Sequence, residues 1–176
     1  MQFIGILAPR KKEASLKRNL ENTLKNIEEE NFQILIITIQ NIEHLKNIKF
    51  DTIWIQEIEK WMIEEKENLE KILLSATLLV LNTDHKMQFT ILKEKELTYI
   101  TYGLNPKATI TTSSMEDDKI LVCIQRKIQF KDKTIEPQEI WMEKYKQHFD
   151  LSDQLGIISI QLLYTRNKTI VKDIQI

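Results

Sequence analysis

The stretch from Leu78 to Leu104 constrains this chain more than any other. An apolar run, Leu78–Leu81, ends in the polar corner Asn82-Thr83-Asp84-His85. Residues 86–95 then read as a short helix, and Tyr99–Tyr102 as a second strand closed by Gly103. A strand, a helix and a strand in this order make the repeating unit of a parallel sheet, joined by a right-handed crossover. The corner therefore stands at the carboxyl end of a strand, the edge at which α/β folds collect ligands.

The same alternation extends upstream. Residues 2–8 read as a short buried strand, ended by Pro9 and the basic residues Arg10, Lys11 and Lys12. From Ala14 to Glu30 the pattern is helical, because Leu16, Leu20, Leu24 and Ile27 fall on one face. Gln33–Ile39 is a continuous apolar, β-branched run, as suits a central strand covered on both sides. Ile42–Ile48 reads as one or two helical turns, Thr52–Ile55 as a third strand and Glu59–Ser75 as a second long helix.

After Gly103 the pattern changes. Ala108–Ser113 alternates and is rich in threonine, and Glu116-Asp117-Asp118 is a turn. Lys119–Phe130 is extended, and Lys131-Asp132-Lys133 reads as a hairpin turn before Thr134 and Ile135. Leu151–Tyr164 fits two patterns: Ile157, Ile158 and Ile160 favour a strand, whereas Leu151, Leu155, Ile158 and Leu162 favour a helix that Ser152 could cap. The expected fold class is α/β. Residues 1–104 form a mostly parallel sheet with flanking helices, and residues 105–176 add a small antiparallel β section and a C-terminal element to the same domain.

Composition narrows the function classes. The chain has 176 residues, 42% hydrophobic and 29% charged, enough for one domain with a real core. Its 25 basic and 26 acidic residues give a net charge of −1, which offers no electrostatic reason for a nucleic-acid or anionic-membrane partner. The single cysteine, Cys123, excludes an internal disulfide and a cysteine-rich metal site. No apolar run approaches the roughly 20 residues of a membrane span, and the N-terminal apolar run is too short for a signal peptide. The expected location is the cytoplasm.

The run Leu79–Asp84, LVLNTD, and the strand end Ile100–Gly103, ITYG, together resemble the central ATP-binding domain of the Mur ligases. In that family a strand ending in Asn-x-Asp is followed by a helix, a strand ending in Tyr-Gly or Phe-Gly, and then antiparallel strands. The resemblance implies a P-loop-type domain and favours a helix for residues 151–164. It also implies that Ile4-Gly5-Ile6 is the family's first strand. The family's phosphate loop, Thr-Gly-Thr-Asn-Gly-Lys-Thr/Ser, then falls on residues 7–13, where only Lys12 matches. Both glycines are absent, Pro9 removes an N–H donor, and Glu13 stands where a hydroxyl should meet Mg²⁺. Losing a few charge-assisted hydrogen bonds at about 1.5–3 kcal/mol each would cripple triphosphate binding. The family's second catalytic element is missing too, since Gln56-Glu57-Ile58-Glu59 occupies its place.

The candidate ligand-binding residues are Lys12, Asn82, Asp84 and Tyr102. The resemblance places the asparagine near an adenine; the plainer reading of Asn82 and Asp84 is that they end a strand and cap the next helix. The cluster Arg10, Lys11, Lys12, Lys17 and Arg18 is an anion site or a solvated face balanced by Glu28–Glu30. His44, His85 and His148 show no metal spacing, and His85 reads as a surface histidine. Glu57, Glu59, Glu64 and Glu65 read as the wet face of a helix, and Cys123 as a buried small hydrophobe. Ser113-Ser114 lacks a nucleophile context. Trp54, Trp61 and Trp141 read as core or interface residues.

Two functions are expected from these readings. The first is a non-catalytic Mur-ligase-like binding or regulatory domain. It has no catalytic residue, metal or ATP/Mg²⁺ cofactor, and its partner is a protein or a second copy of itself. The alternative is a nucleotide-binding enzyme or sensor in which Lys12, Asn82, Asp84 and Tyr102 line a cleft. A third reading is an α/β domain with no relation to that family.

Overall fold

The computed structural model describes residues 1–25, 27, 31–85, 96–145 and 149–165. The helix expected at 86–95, His148 and Glu28–Glu30 lie outside the described residues.

Five parallel strands form the base of the molecule: β1 (Gln2–Leu7), β2 (Phe32–Ile36), β3 (Thr52–Ile55), β4 (Leu78–Asn82) and β5 (Tyr99–Tyr102). Their spatial order is β2-β1-β3-β4-β5, so the chain reverses direction across the sheet between β1 and β3. This is one of the common doubly wound orders, and the reversal is its switch point. Helix α1 (Arg10–Leu24) connects β1 to β2; α2 (Ile42–Leu45) connects β2 to β3; α3 (Lys60–Glu64) and α4 (Lys66–Ser75) connect β3 to β4.

The two faces of the sheet carry separate cores. Ile4, Ile6, Trp54, Val80 and Tyr102 pack with Leu16 and Leu20 of α1 on one side. Leu7, Ile53, Ile55, Leu79 and Leu81 pack with α2 and α4 on the other. All four residues of β3 and all five of β4 are buried, which is why these strands read as unbroken apolar runs rather than alternating ones.

Beyond β5 one more strand runs parallel, and the sheet then turns antiparallel. Strand β6 (Ile110–Met115) meets β5 at Tyr102 and Ile110; β7 (Lys119–Ile124) and β10 (Gln138–Glu143) then run antiparallel and complete eight strands. Between them a small hairpin, β8 (Ile128–Phe130) and β9 (Lys133–Ile135), turns through Lys131, whose φ is 53°.

Helix α5 (Leu151–Tyr164) lies on the face that also carries α1. Eleven of its fourteen residues are buried, so its β-branched residues are chosen for packing on all sides rather than for a strand. At Gly156 the helix backbone approaches Trp54 so closely that an added Cβ would stand 2.4 Å from the indole Cζ2. At its far end Tyr164 packs edge-on against Phe32 and Phe130 and shares a 2.8 Å hydrogen bond with Thr52 Oγ1. The Lys133 ammonium donates to the Leu162 and Thr165 carbonyls and closes the helix terminus.

Several boundaries differ from expectation for local reasons. α1 begins at Arg10, not Ala14, because the Pro9 carbonyl accepts from the Lys12 and Glu13 N–H groups and draws the basic residues into the first turn. The helix expected over 59–75 divides at Glu65, whose φ of −91° and ψ of 28° break the ladder. The extended stretch 119–130 divides into β7 and β8, with Gln125 donating back to Thr109. Strand β10 was not expected; it is an edge strand whose Ile140 and Met142 reach the core while Glu139, Trp141 and Glu143 stay exposed.

Gly156→Ala is expected to lower stability by about 1–3 kcal/mol, as over-packing of a close contact does. Urea unfolding followed by tryptophan fluorescence would measure it; an unchanged midpoint would mean that α5 is not seated against Trp54.

Candidate functional site

The parallel strands bring Ala8, Gln56, Asn82 and Tyr102 to one edge, at and beside the switch point. Asn82 and Tyr102, distant in sequence, stand in direct register on β4 and β5. The same edge receives the N-terminus of α5. Asp150 is the cap of that helix and accepts from the Asp153 N–H at 2.8 Å, a role assigned to Ser152 from the sequence. Ser152 instead accepts from Asn82 Nδ2 at 2.8 Å.

Lys12 sits in the first turn of α1, with its Nζ 2.7 Å from Asp150 Oδ2 and 2.8 Å from Asp153 Oδ2. Gln56 Nε2 donates to the other Asp153 oxygen at 2.9 Å. The Asp153 side chain is only 4% exposed, whereas that of Asp150 is 56% exposed. Burial works against the charged Lys12, but its bonds to the two carboxylates outweigh that and raise its pKa above 10.5. Burial likewise opposes the charged Asp150, and Lys12 reverses the effect to hold it below the usual carboxylate range. Asp153, more deeply buried, is raised by that burial and only partly brought back by Lys12.

Each remaining candidate is engaged within the fold. Asn82 is fully buried, and its Oδ1 accepts from the Asp84 N–H at 3.0 Å. The Asp84 carboxylate accepts from the Leu104 N–H at 2.9 and 3.1 Å. This turn needs Gly103, with φ +145°: an added Cβ would lie 2.6 Å from Asp84 Oδ1. The Tyr102 hydroxyl accepts from Trp54 Nε1 at 2.7 Å, and burial pushes its pKa well above 10.

The structure thus gathers Lys12, Asn82 and Tyr102 at one edge with Asp84 at its rim. Asp150, Ser152 and Asp153 sit among them. Sequence reasoning placed none of these three at the site: Ser152 was read only as a helix cap, and the local signal was an Asp-x-x-Asp pair opening an apolar helix.

Elsewhere, Arg10, Lys11 and Arg18 are exposed on α1, and Lys17 faces Glu21 at 3.8 Å. Glu13 is half-buried and raised, first by burial and then by the nearby Glu59. Glu59 accepts from Trp61 Nε1, and Glu65 from Asn68. His44 is exposed and His85 half-buried. Cys123 is buried and lies 3.2 Å from Glu139 Oε1; burial pushes its thiol up, away from nucleophile behaviour. Ser113 and Ser114 are exposed on β6, Trp54 is core, and Trp141 is 42% exposed. Among the described residues no group of three or more His, Cys, Asp or Glu could hold a metal ion, and no helix is long and apolar enough to cross a membrane.

No protein-family model matches the chain, and no curated protein matches it.

Lys12→Met would leave the buried Asp153 without its cation. Breaking a fully buried pair costs about 3–5 kcal/mol, and partial exposure of this one reduces the expectation to about 2–3 kcal/mol. In an Asp153→Asn background the same substitution should cost less; equal costs measured by urea unfolding would deny the coupling.

The pH dependence has two arms. Lys12 is raised in the fold, so its contribution is whole below 10.5 and is lost as pH rises through the folded value. Asp150 is depressed, so its contribution is present above 3.8 and is lost as pH falls through the folded value. The stability difference between wild type and Lys12→Met should therefore be widest just below 10.5 and shrink as pH rises through the Lys12 value or falls through those of the carboxylates, starting above 3.8 because Asp153 is raised. A difference that stays flat across the whole range would refute this.

Proposed function

We propose that the chain is a non-catalytic, Mur-ligase-like domain of the cytoplasm that acts by binding another protein chain. The observation that carries this reading is the contact set of Lys12. A phosphate at the end of β1 would meet this ammonium, and two carboxylates at the start of α5 already occupy two of its three donors. The connection from β1 to α1 is only Ala8 and Pro9, which gives no length of loop to curl backbone N–H groups around a phosphate. The family likeness itself is supported by the placement of its two motifs: LVLNTD and ITYG end on adjacent parallel strands with Asn82 opposite Tyr102.

Calorimetric titration with ATP and Mg²⁺ tests the reading. The expected outcome is no saturable heat at micromolar to millimolar nucleotide and no phosphate release. Micromolar binding with turnover would overturn it and favour a nucleotide site at the Asn82–Asp84 edge.

A further inference from the structure

We infer that the outer edge of β2 is a self-association edge, onto which a second copy of the chain adds its own β2 antiparallel across a twofold axis. The inference rests on the reading above that the chain acts by binding, and it names the partner.

β2 stands at one end of the eight-strand order, and no described strand pairs with its outer side. Gln2 donates to the Asn31 carbonyl at 2.8 Å and Ile37 donates to the Ile6 carbonyl at 2.9 Å, so the odd-numbered residues turn their backbone toward β1. Backbone direction alternates along a strand, so Phe32, Ile34 and Ile36 turn theirs outward. A twofold axis at Ile34 pairs this residue with Ile34 of the second copy and Phe32 with Ile36. Every outward N–H and C=O of the three is then used, in the closely spaced pairs of an antiparallel ladder. Gln33 falls opposite Leu35 on the other face.

Charge patterning permits this pairing at one end of the sheet and opposes it at the other. No residue from Asn31 to Ile42 carries a charge, so β2 lacks the charged residues or proline that usually protect an edge. At the opposite edge, the Lys144 N–H donates to the Asp118 carbonyl at 2.8 Å, which turns the even-numbered residues of β10 inward and leaves Glu139, Trp141 and Glu143 outward. The twofold register that pairs these three sets Glu139 opposite Glu143 twice, and like charges directly opposite are destabilising. A hollow of about 390 Å³ also opens beside β2, lined by Leu24, Phe32 and Ile34 with Glu21, Lys25 and Asn31. In the proposed register Ile36 of the second copy comes to Phe32 at this hollow.

Sedimentation velocity of the full chain tests the edge. The expected result is a dimer at micromolar concentration. Ile36→Pro removes an outward N–H while the bonds to β1 remain, a change that edge strands tolerate. Gln33→Lys places a charge at an exposed position of the same edge. Each should weaken the dimer about tenfold or more, whereas Trp141→Lys on β10 should leave it unchanged. Circular dichroism shows whether each variant folds, and Gln33→Lys decides the matter should the proline variant not. A chain that stays monomeric at the highest concentration reached, or a dimer insensitive to folded β2 variants, would overturn the proposal. The two readings fail separately: a monomer removes this edge without bearing on nucleotide binding, and ATP turnover removes the non-catalytic reading while a dimer stands.

Discussion

The close approach of Gly156 to the Trp54 indole sets the distance between α5 and the sheet, and much of the C-terminal half follows from it. No side chain fits between them, since even a Cβ would stand 2.4 Å from the ring. At that distance the Trp54 N–H is left to the Tyr102 hydroxyl, which ties β3 to β5 beneath the helix. A helix of fourteen residues is about 21 Å long, close to the roughly 20 Å of a six-residue strand. Once seated, α5 therefore spans the sheet from edge to edge. Its first turn reaches Lys12, Gln56 and Asn82, and its last residue reaches Thr52. One packing contact thus positions two polar anchors.

The parts of this fold legible in the sequence are those whose environment is uniform. β3 and β5 fall where their apolar composition puts them, because both faces of the central sheet are covered and no alternation is needed. α5 was legible in extent but ambiguous in kind. A helix buried on nearly every side shows no polar face to reveal its period, and isoleucines serve packing in either state. The edge strand β10 escaped for the opposite reason: its two core residues alternate with exposed charged and aromatic ones in a segment too polar to stand out. The start of α1 was misplaced because the rule that proline ends a strand is also the rule that proline opens a helix.

The site shows a different limit. Lys12, Asn82, Asp84 and Tyr102 could be chosen from sequence because strand ends and a single match to a phosphate-loop pattern are local features. Their neighbours could not, because Asp150 and Asp153 lie 138 and 141 residues from Lys12. Periodicity carries no information about which carboxylate a lysine meets across a sheet edge. The polar corner that looks most like a ligand edge is also where a helix N-terminus needs capping and dipole partners, and both demands select the same residue types.

That double use bears on how open such an edge is. The negative carboxylates of Asp150 and Asp153 stand where the N-terminal dipole of α5 favours them, while Arg10, Lys11 and Lys12 stand in the first turn of α1, where the dipole does not. The Lys12 pair relieves the second arrangement by means of the first. An external phosphate that took Lys12 from both carboxylates would leave Asp153, 4% exposed and also bonded to Gln56, as a buried charge without its cation. The same turn holds Ser152, which accepts from Asn82. The first turn of α5 already engages Lys12, Gln56 and Asn82, so the strand-end residues alone do not decide whether a ligand can enter.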